Sequence, residues 1–486
     1  MEKKSVLSNS IYNIGSNIVK ILFPMLTIPY ISRVLGPTNL GKINFIRSII
    51  IYFVTLAGLG IPFYANREIA KVKENKLLMS ETFFDIFFIK IVLSLFFEVV
   101  FVFLIFKFPS IINYNTKLAL ILSLLIIAEM FKTRWFFQGI ERFDWLYKAM
   151  MFSKIVNIIL IFTFIKEQQD FLIYAFIIII TLFLNNLFLF VKAFKTVELK
   201  RVSINFFRIK KHFKGIGWLF FAQMAILVYT HLDTVMIGYI QSEADVGQYT
   251  VVNRLVRVLM PVFVSISAVL LPRISLLREK NKIKEIENYL SKSISLVLLV
   301  GIPAVSGLNI LSYEIIHYIF GQQYYSYFAL NILSFLLIVI GLNNVFGLQI
   351  LLPFNEEKKF SLIIIFSAFV NFLLNIILIK KFSFYGAAFA TVLAEFIILC
   401  LEILVSRKYF SNLFNFKEIA KVLLANSLML TFVYITKTIF FQKFNFIISF
   451  ILIIIIASII YFGLLYIENH KTFKWFIEEK ILNKMF

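Results

Sequence analysis

Residues 26–48 read LTIPYISRVLGPTNLGKINFIRS. An apolar run carrying Pro24 and Pro29 ends at Arg33, turns through Gly36-Pro37 and Gly41, and gives way to a second apolar run that opens with Arg47. The pattern is the outer end of one membrane helix, a tight turn and the start of the next. Each proline removes a backbone donor, so the first helix should bend or break near mid-membrane. A cation held in hydrocarbon costs about 2.5–3.5 kcal/mol on insertion scales, so Arg47 should face protein or a water-filled cavity.

The rest of the chain extends this pattern. Of its 486 residues 60% are hydrophobic, and the mean hydropathy is +0.88. Apolar stretches repeatedly reach the roughly 20 residues that a bilayer crossing needs. Fourteen spans are expected, at 10–32, 43–65, 83–106, 118–138, 147–165, 171–191, 216–240, 247–272, 293–312, 326–352, 360–379, 384–405, 418–436 and 445–467. The expected fold is therefore an all-α polytopic membrane protein.

A net charge of +22 suggests nucleic acid until its distribution is examined. With the N-terminus inside, the outer loops hold only 9 of the 49 Lys and Arg, and most of the others lie in the inner tails and loops. Positive charge collects on the cytoplasmic side, so both termini are expected there, with anionic membrane lipid rather than nucleic acid as the partner. The single cysteine, Cys400, falls in a span, which excludes an internal disulfide and a cysteine metal cluster. The start MEKKSVLSNS runs into the first span without a small-residue cleavage site, as in a retained signal-anchor.

Polar residues inside the spans are the functional candidates. Asn9, Asn13, Asn17 and Lys20 recur at helical spacing and would line a cavity wall. Lys90 is near enough to the inner side to snorkel, whereas Glu98 and Glu129 lie deeper and would relay protons or pair with buried cations. The inner turn after the fourth span carries Glu141 and Arg142 as a surface latch. The basic loop from Lys192 to Lys214, with eight Lys and Arg among aromatic residues, should lie on anionic headgroups. Arg254 and Arg257 stand one turn apart on the eighth span, and Asp233 on the seventh can balance only one of them. The remaining positive charge would be satisfied by a bound anion. Glu395 is central in the twelfth span and joins Asp233 and Glu129 as an ion-coupling candidate.

Gly41 and Gly247 are 206 residues apart, and Arg47 and Arg254 are 207 apart. Asn157 and Asn371 are 214 apart. An offset this constant suggests two six-helix halves in the same orientation. They are expected as an N-terminal lobe at 1–200, a second lobe at 201–410 that opens with the basic loop, and two additional helices with a tail at 411–486.

There is no phosphate-binding G-x-x-x-x-G-K-[ST] and no D-x-D among the five aspartates. The four histidines lack metal-ligand spacing. No outer loop is long enough for a catalytic domain. No cofactor, metal or catalytic residue is expected, and the chain is not read as an enzyme.

Several runs resemble the Wzx-type polysaccharide flippases of the multidrug/oligosaccharidyl-lipid/polysaccharide exporter superfamily. They are PYISRVLGP at 29–37 with Gly41, FQGIERF at 137–143, LDTVMIG at 232–238, VGQYT at 246–250, QILLP at 349–353 and YGAA at 385–388. The resemblance spans nearly the whole chain in the family's order. It implies two pseudo-symmetric bundles plus two extra helices. It also implies translocation of an undecaprenyl-diphosphate-linked oligosaccharide across the bacterial cytoplasmic membrane for O-antigen, capsule or exopolysaccharide biosynthesis. A polysaccharide polymerase and glycosyltransferases would be partner proteins. The family's cavity arginines match Arg33, Arg47, Arg254 and Arg257 by motif position, and Lys20 is added from its depth. The alternatives weighed are a multidrug/cation exporter of the same superfamily, a peptidoglycan-precursor flippase and, more remotely, a membrane glycan polymerase.

Overall fold

The computed structural model describes residues 6–198, 208, 209, 212, 230–410, 412–443 and 445–480. Among these residues every regular element is helical. The chain runs through α1 (Val6–Gly58), α2 (Ile61–Val72), α3 (Lys76–Lys107), α4 (Thr116–Met130), α5 (Phe143–Phe164), α6 (Phe171–Phe194), α7 (Glu243–Glu279) and α8 (Ile283–Ile310). It continues in α9 (Tyr327–Leu351), α10 (Glu357–Ser406), α11 (Phe416–Lys443), α12 (Phe446–Ile467) and the short α13 (Lys471–Lys480).

Ten of the described helices are long and apolar enough to cross a membrane. Two of them hold two expected spans each. The backbone leaves helical dihedrals at Gly36 in α1 (φ 74°, ψ 171°) and at Ser383 in α10 (φ 52°, ψ −138°). The span expected at 118–138 is the 15-residue α4, and the one at 216–240 lies largely outside the described residues. Many large apolar side chains point outward, among them Phe103, Ile365 and Ile459. In a membrane protein this is the lipid-facing surface.

The break in α1 falls at Gly36, in the turn expected between the first two spans, while the backbone keeps helical dihedrals through Pro24 and Pro29. Membrane helices tolerate proline because neighbouring groups satisfy the freed carbonyls, and here Ser32 Oγ donates to the Pro29 carbonyl at 2.9 Å. Gly36 combines two causes. Its dihedrals lie in a region that is essentially reserved for glycine, and the following Pro37 disfavours helix at the residue before it while suiting the first turn of the next helix. A second break lies at Gly58-Leu59-Gly60, with left-handed backbone at Leu59 and Gly60 between α1 and α2.

The chain divides into two compact units, Met1–Thr250 and Val251–Phe486. In the first, α2, α3 and the short helix Arg134–Gly139 enclose an aromatic core of Tyr64, Phe83, Phe87, Trp135, Phe136 and Phe137. In the second, α11 and α12 form a hairpin against α8. Tyr461 Oη donates to the Leu299 carbonyl at 2.8 Å, and Ser306 Oγ donates to Asn426 Oδ1 at 2.7 Å. The tight turn inside α10 brings Gly386 against the Leu378 carbonyl, where an added Cβ would stand 2.1 Å away.

Candidate functional site

In the first unit, α1 crosses the start of α7 backbone to backbone. A Cβ on Gly41 would lie 1.6 Å from the Glu243 carbonyl oxygen, and one on Gly247 would lie 2.0 Å from that of Pro37. The sequence repeat pairs these glycines, and the structure brings them to the same crossing. Polar contacts fasten the turn before α7. Asn115 Nδ2 donates to Glu243 Oε1 at 2.7 Å, Lys42 Nζ stands 3.9 Å from Glu243 Oε2, and Asn113 Nδ2 donates to the Gly238 carbonyl at 3.1 Å. Tyr239 Oη donates to the Ile111 carbonyl at 2.6 Å.

Two of the expected cations, Arg33 and Arg47, lie in the first unit, and two, Arg254 and Arg257, lie in the second. Arg33 is exposed just before the Gly36 break, and Arg47 is half-buried in the second half of α1. Arg254 is half-buried on α7, where its charge reaches the buried Tyr324 hydroxyl. Arg257 donates through Nε to Asn253 Oδ1 at 2.9 Å. The Lys20 side chain lies outside the described residues. Asp233 is buried and accepts a hydrogen bond from Tyr249 Oη at 2.6 Å.

The other candidate carboxylates have local partners. Glu129 forms ion pairs with Lys90 at 3.5 Å and with Lys132 at 3.0 Å. Lys90 therefore does not snorkel. It is 1% exposed, and its ammonium also donates to the Lys132 carbonyl at 2.8 Å. The end of α4 and the turn after it supply the partners, so that the buried ammonium meets Glu129 and the Lys132 carbonyl rather than water. Glu98 accepts from Ser123 Oγ at 2.7 Å. In the second unit, Asn343 Nδ2 donates to Glu395 Oε2 at 2.7 Å.

Two surface expectations change partners. Glu141 pairs with Lys73 at 2.8 Å, while Arg142 grips Asp144 through Nε at 2.9 Å and Nη2 at 3.0 Å. Arg208, from the basic loop assigned to lipid headgroups, binds protein carboxylates instead, Glu81 at 2.7 Å and Asp85 at 2.9 Å. His212 from the same loop meets Tyr64 Oη through Nδ1 at 2.7 Å.

Two residues absent from the sequence reading emerge. Lys154 on α5 lies close enough to Arg47 for their like charges to interact. Glu402 on α10 is fully buried beside the π-helical end of α9, and among the described residues neither of its carboxyl oxygens has a hydrogen-bond partner. A Cβ on Gly347 would stand 2.6 Å from Glu402 Oε1. A charge within an apolar span was the available signal for both, Lys154 near the middle of its span and Glu402 in the last turn of its own. Neither belongs to a recognisable motif.

The profile of the family described as "Polysaccharide biosynthesis protein" matches residues 6–278, and that of the MatE family matches residues 219–379. A protein of Escherichia coli K12 named "Putative O-antigen transporter" is 27% identical over 397 residues, which cover 81% of this chain and 94% of that protein. The Haloferax volcanii protein named "Probable low-salt glycan biosynthesis flippase Agl15" is 29% identical over 34% of this chain and 35% of its own length. Among solved structures, "Lipid II flippase MurJ, inward closed conformation" superposes with a TM-score of 0.67 at 20% identity, covering 96% of this chain and 99% of that one. An inward-facing multidrug-resistance MATE family transporter of the MOP superfamily superposes with a TM-score of 0.59 at 16% identity, covering 85% and 96%. At these identities the structural likeness establishes the fold alone.

Proposed function

The chain belongs to the polysaccharide biosynthesis protein family, and from that premise we propose that it is a membrane flippase. Its substrate is an undecaprenyl-diphosphate-linked oligosaccharide, moved from the cytoplasmic to the outer leaflet of the bacterial inner membrane by alternating access. The product feeds O-antigen, capsule or exopolysaccharide assembly, with glycosyltransferases upstream and a polymerase downstream. The observation that carries this reading is the similarity to the E. coli K12 O-antigen transporter homologue along 94% of that protein's length.

The deep cations support an anionic substrate. Arg33, Arg47, Arg254, Arg257 and Lys20 are proposed to hold the diphosphate while the lipid tail stays in the bilayer. An exporter of cationic drugs needs the opposite sign. The proposed moving parts are the lobes at 1–200 and 201–410, with 411–486 added as two further helices. A ligand drives their exchange only by binding the two states with different affinity, so net transport needs a downstream sink or an ion gradient. Asp233, Glu129 and Glu395 are the proposed coupling carboxylates.

The test is a deletion strain. Loss of the protein should strand the lipid-linked oligosaccharide on the inner leaflet and remove the surface glycan while growth continues. An R254A/R257A double variant, present at normal level, should reproduce the deletion. Normal surface glycan in that variant would remove the two arginines from the site. Arrest of growth on deletion would instead favour a peptidoglycan-precursor flippase.

A further inference from the structure

Glu402 lies four residues before the end of α10 at Ser406 and is 0% exposed. The close approach of Gly347 fixes where its carboxyl group sits. A Cβ on that glycine would stand 2.6 Å from Glu402 Oε1 and 2.5 Å from the Phe360 ring. Gly347 belongs to the π-helical end of α9, Asn344–Leu351, and Phe360 lies in the first turn of α10. Three helical segments therefore meet at one carboxyl group. The apolar cluster of Leu351, Ile363 and Ile398 shares Phe360 with this junction.

Among the described residues neither carboxyl oxygen has a hydrogen-bond partner, and the charged groups on the surrounding elements do not neutralise it. On α10 itself, Glu395 is two turns away and accepts from Asn343 Nδ2 at 2.7 Å. Around the turn between α9 and α10, Lys359 and Lys408 pair with Glu356 at 3.0 and 3.8 Å, and the Tyr409 hydroxyl donates to the same carboxylate at 2.7 Å. Glu357, Lys358 and Arg407 are exposed. On α8, which also packs against the π-helical stretch, the Lys292 ammonium lies over the Trp475 ring at 4.4 Å. Lys284 and Glu285 on α8 are exposed, and Glu287 has the same sign as Glu402. An isolated ionised carboxylate is costly to bury, so a group in this position takes a proton instead.

We propose that Glu402 is a protonation switch for the packing of α9 on α10. With the proton on, the neutral carboxyl lets Gly347 close over it. With the proton released to water, the carboxylate must be hydrated, and the π-helical end of α9 has to part from α10. The end of α10 is one turn away, so a local opening is enough. Single π-helical turns are rare and occur mostly at functional sites. The switch holds whatever cargo the protein carries.

The test follows backbone and proton separately in the full-length protein in nanodiscs, over the range from about pH 6 to about pH 8. Hydrogen exchange at 344–351, corrected for its intrinsic rate, should rise about tenfold per pH unit, because the closed form holds one proton more than the opened one. In Glu402→Gln, which keeps the neutral shape at every pH, exchange there should stay flat. Glu402→Leu predicts the same flat profile and serves if the amide disturbs the fold. The infrared spectrum of the parent at the acidic end should contain a protonated-carboxyl band that is missing from both variants. Equal bands in parent and variants would mean that Glu402 is ionised while buried, and would overturn the proposal. Exchange at 344–351 that ignores pH in the parent would overturn it too, as would an unchanged pH dependence in the variants.

Discussion

Lys90 shows what a single residue hides from its sequence. Its position in α3 suggests an ammonium reaching for the inner interface, yet it ends in a buried pair with Glu129, 39 residues away. Only the fold brings that carboxylate to it. Breaking a buried pair by removing one partner typically costs about 3–5 kcal/mol, because the other charge is left uncompensated. Glu129→Ala should therefore lower the thermal unfolding midpoint in detergent substantially, and Lys90→Met combined with Glu129→Leu should recover much of the loss. A variant that unfolds like the parent but fails to transport would instead keep Glu129 among the coupling groups. Arg47 was legible because a recognisable run leads up to it. Lys154 sits in plain sequence, and its neighbour Arg47 is visible only in three dimensions.

At the scale of elements, the repeat offset marks Gly41 and Gly247 as equivalent, but only the fold shows that they meet. The crossing leaves no space for a side chain on either glycine. Ala at position 41 or 247 should force α1 and α7 apart, and thermal unfolding in detergent should then begin at a lower temperature than in the parent. An unchanged midpoint would mean that the backbones accommodate a methyl group. The backbone of α1 runs unbroken through Pro24 and Pro29 because proline weakens a membrane helix without necessarily breaking it, whereas Gly36 followed by Pro37 does break it.

The tail offers a pH-dependent element. Two groups cap the N-terminus of α13: His470 Nδ1 accepts from the Phe473 amide at 3.2 Å, and Glu418 Oε2 accepts from the Lys471 amide at 2.7 Å. Burial holds the His470 imidazole below its ordinary pKa, with the Glu418 charge opposing that shift. The neutral ring is the folded form, so its contribution is complete above the unfolded histidine value of about 6.5 and is lost as pH falls through the lower folded value. Trypsin cleavage at Lys471 and Lys474 in detergent should accelerate over that window relative to cleavage elsewhere in the chain. His470→Gln should flatten the response.

For the whole molecule, hydropathy and charge distribution made the class legible, since a chain with this apolar content has few ways to bury its backbone other than as membrane helices. The spans were countable from sequence because each is an apolar run of its own. Where one ends and the next begins was less clear, because α1 and α10 turn within almost continuous helix. The substrate is harder to read, because proteins named as an O-antigen transporter, a lipid II flippase and a multidrug-resistance transporter are all similar to this chain. Sign of charge at mid-membrane separates cationic drugs from lipid diphosphates, and growth of a deletion strain separates the two kinds of lipid-linked cargo. The most direct measurement is a leaflet assay in proteoliposomes, scoring labelled undecaprenyl-diphosphate oligosaccharide for protection from an added glycan-degrading enzyme, with and without a proton gradient. The account predicts protein-dependent loss of protection that disappears in the R254A/R257A variant. Protection that stays constant for every prenyl-linked glycan tested, with folded protein in the bilayer, would contradict it.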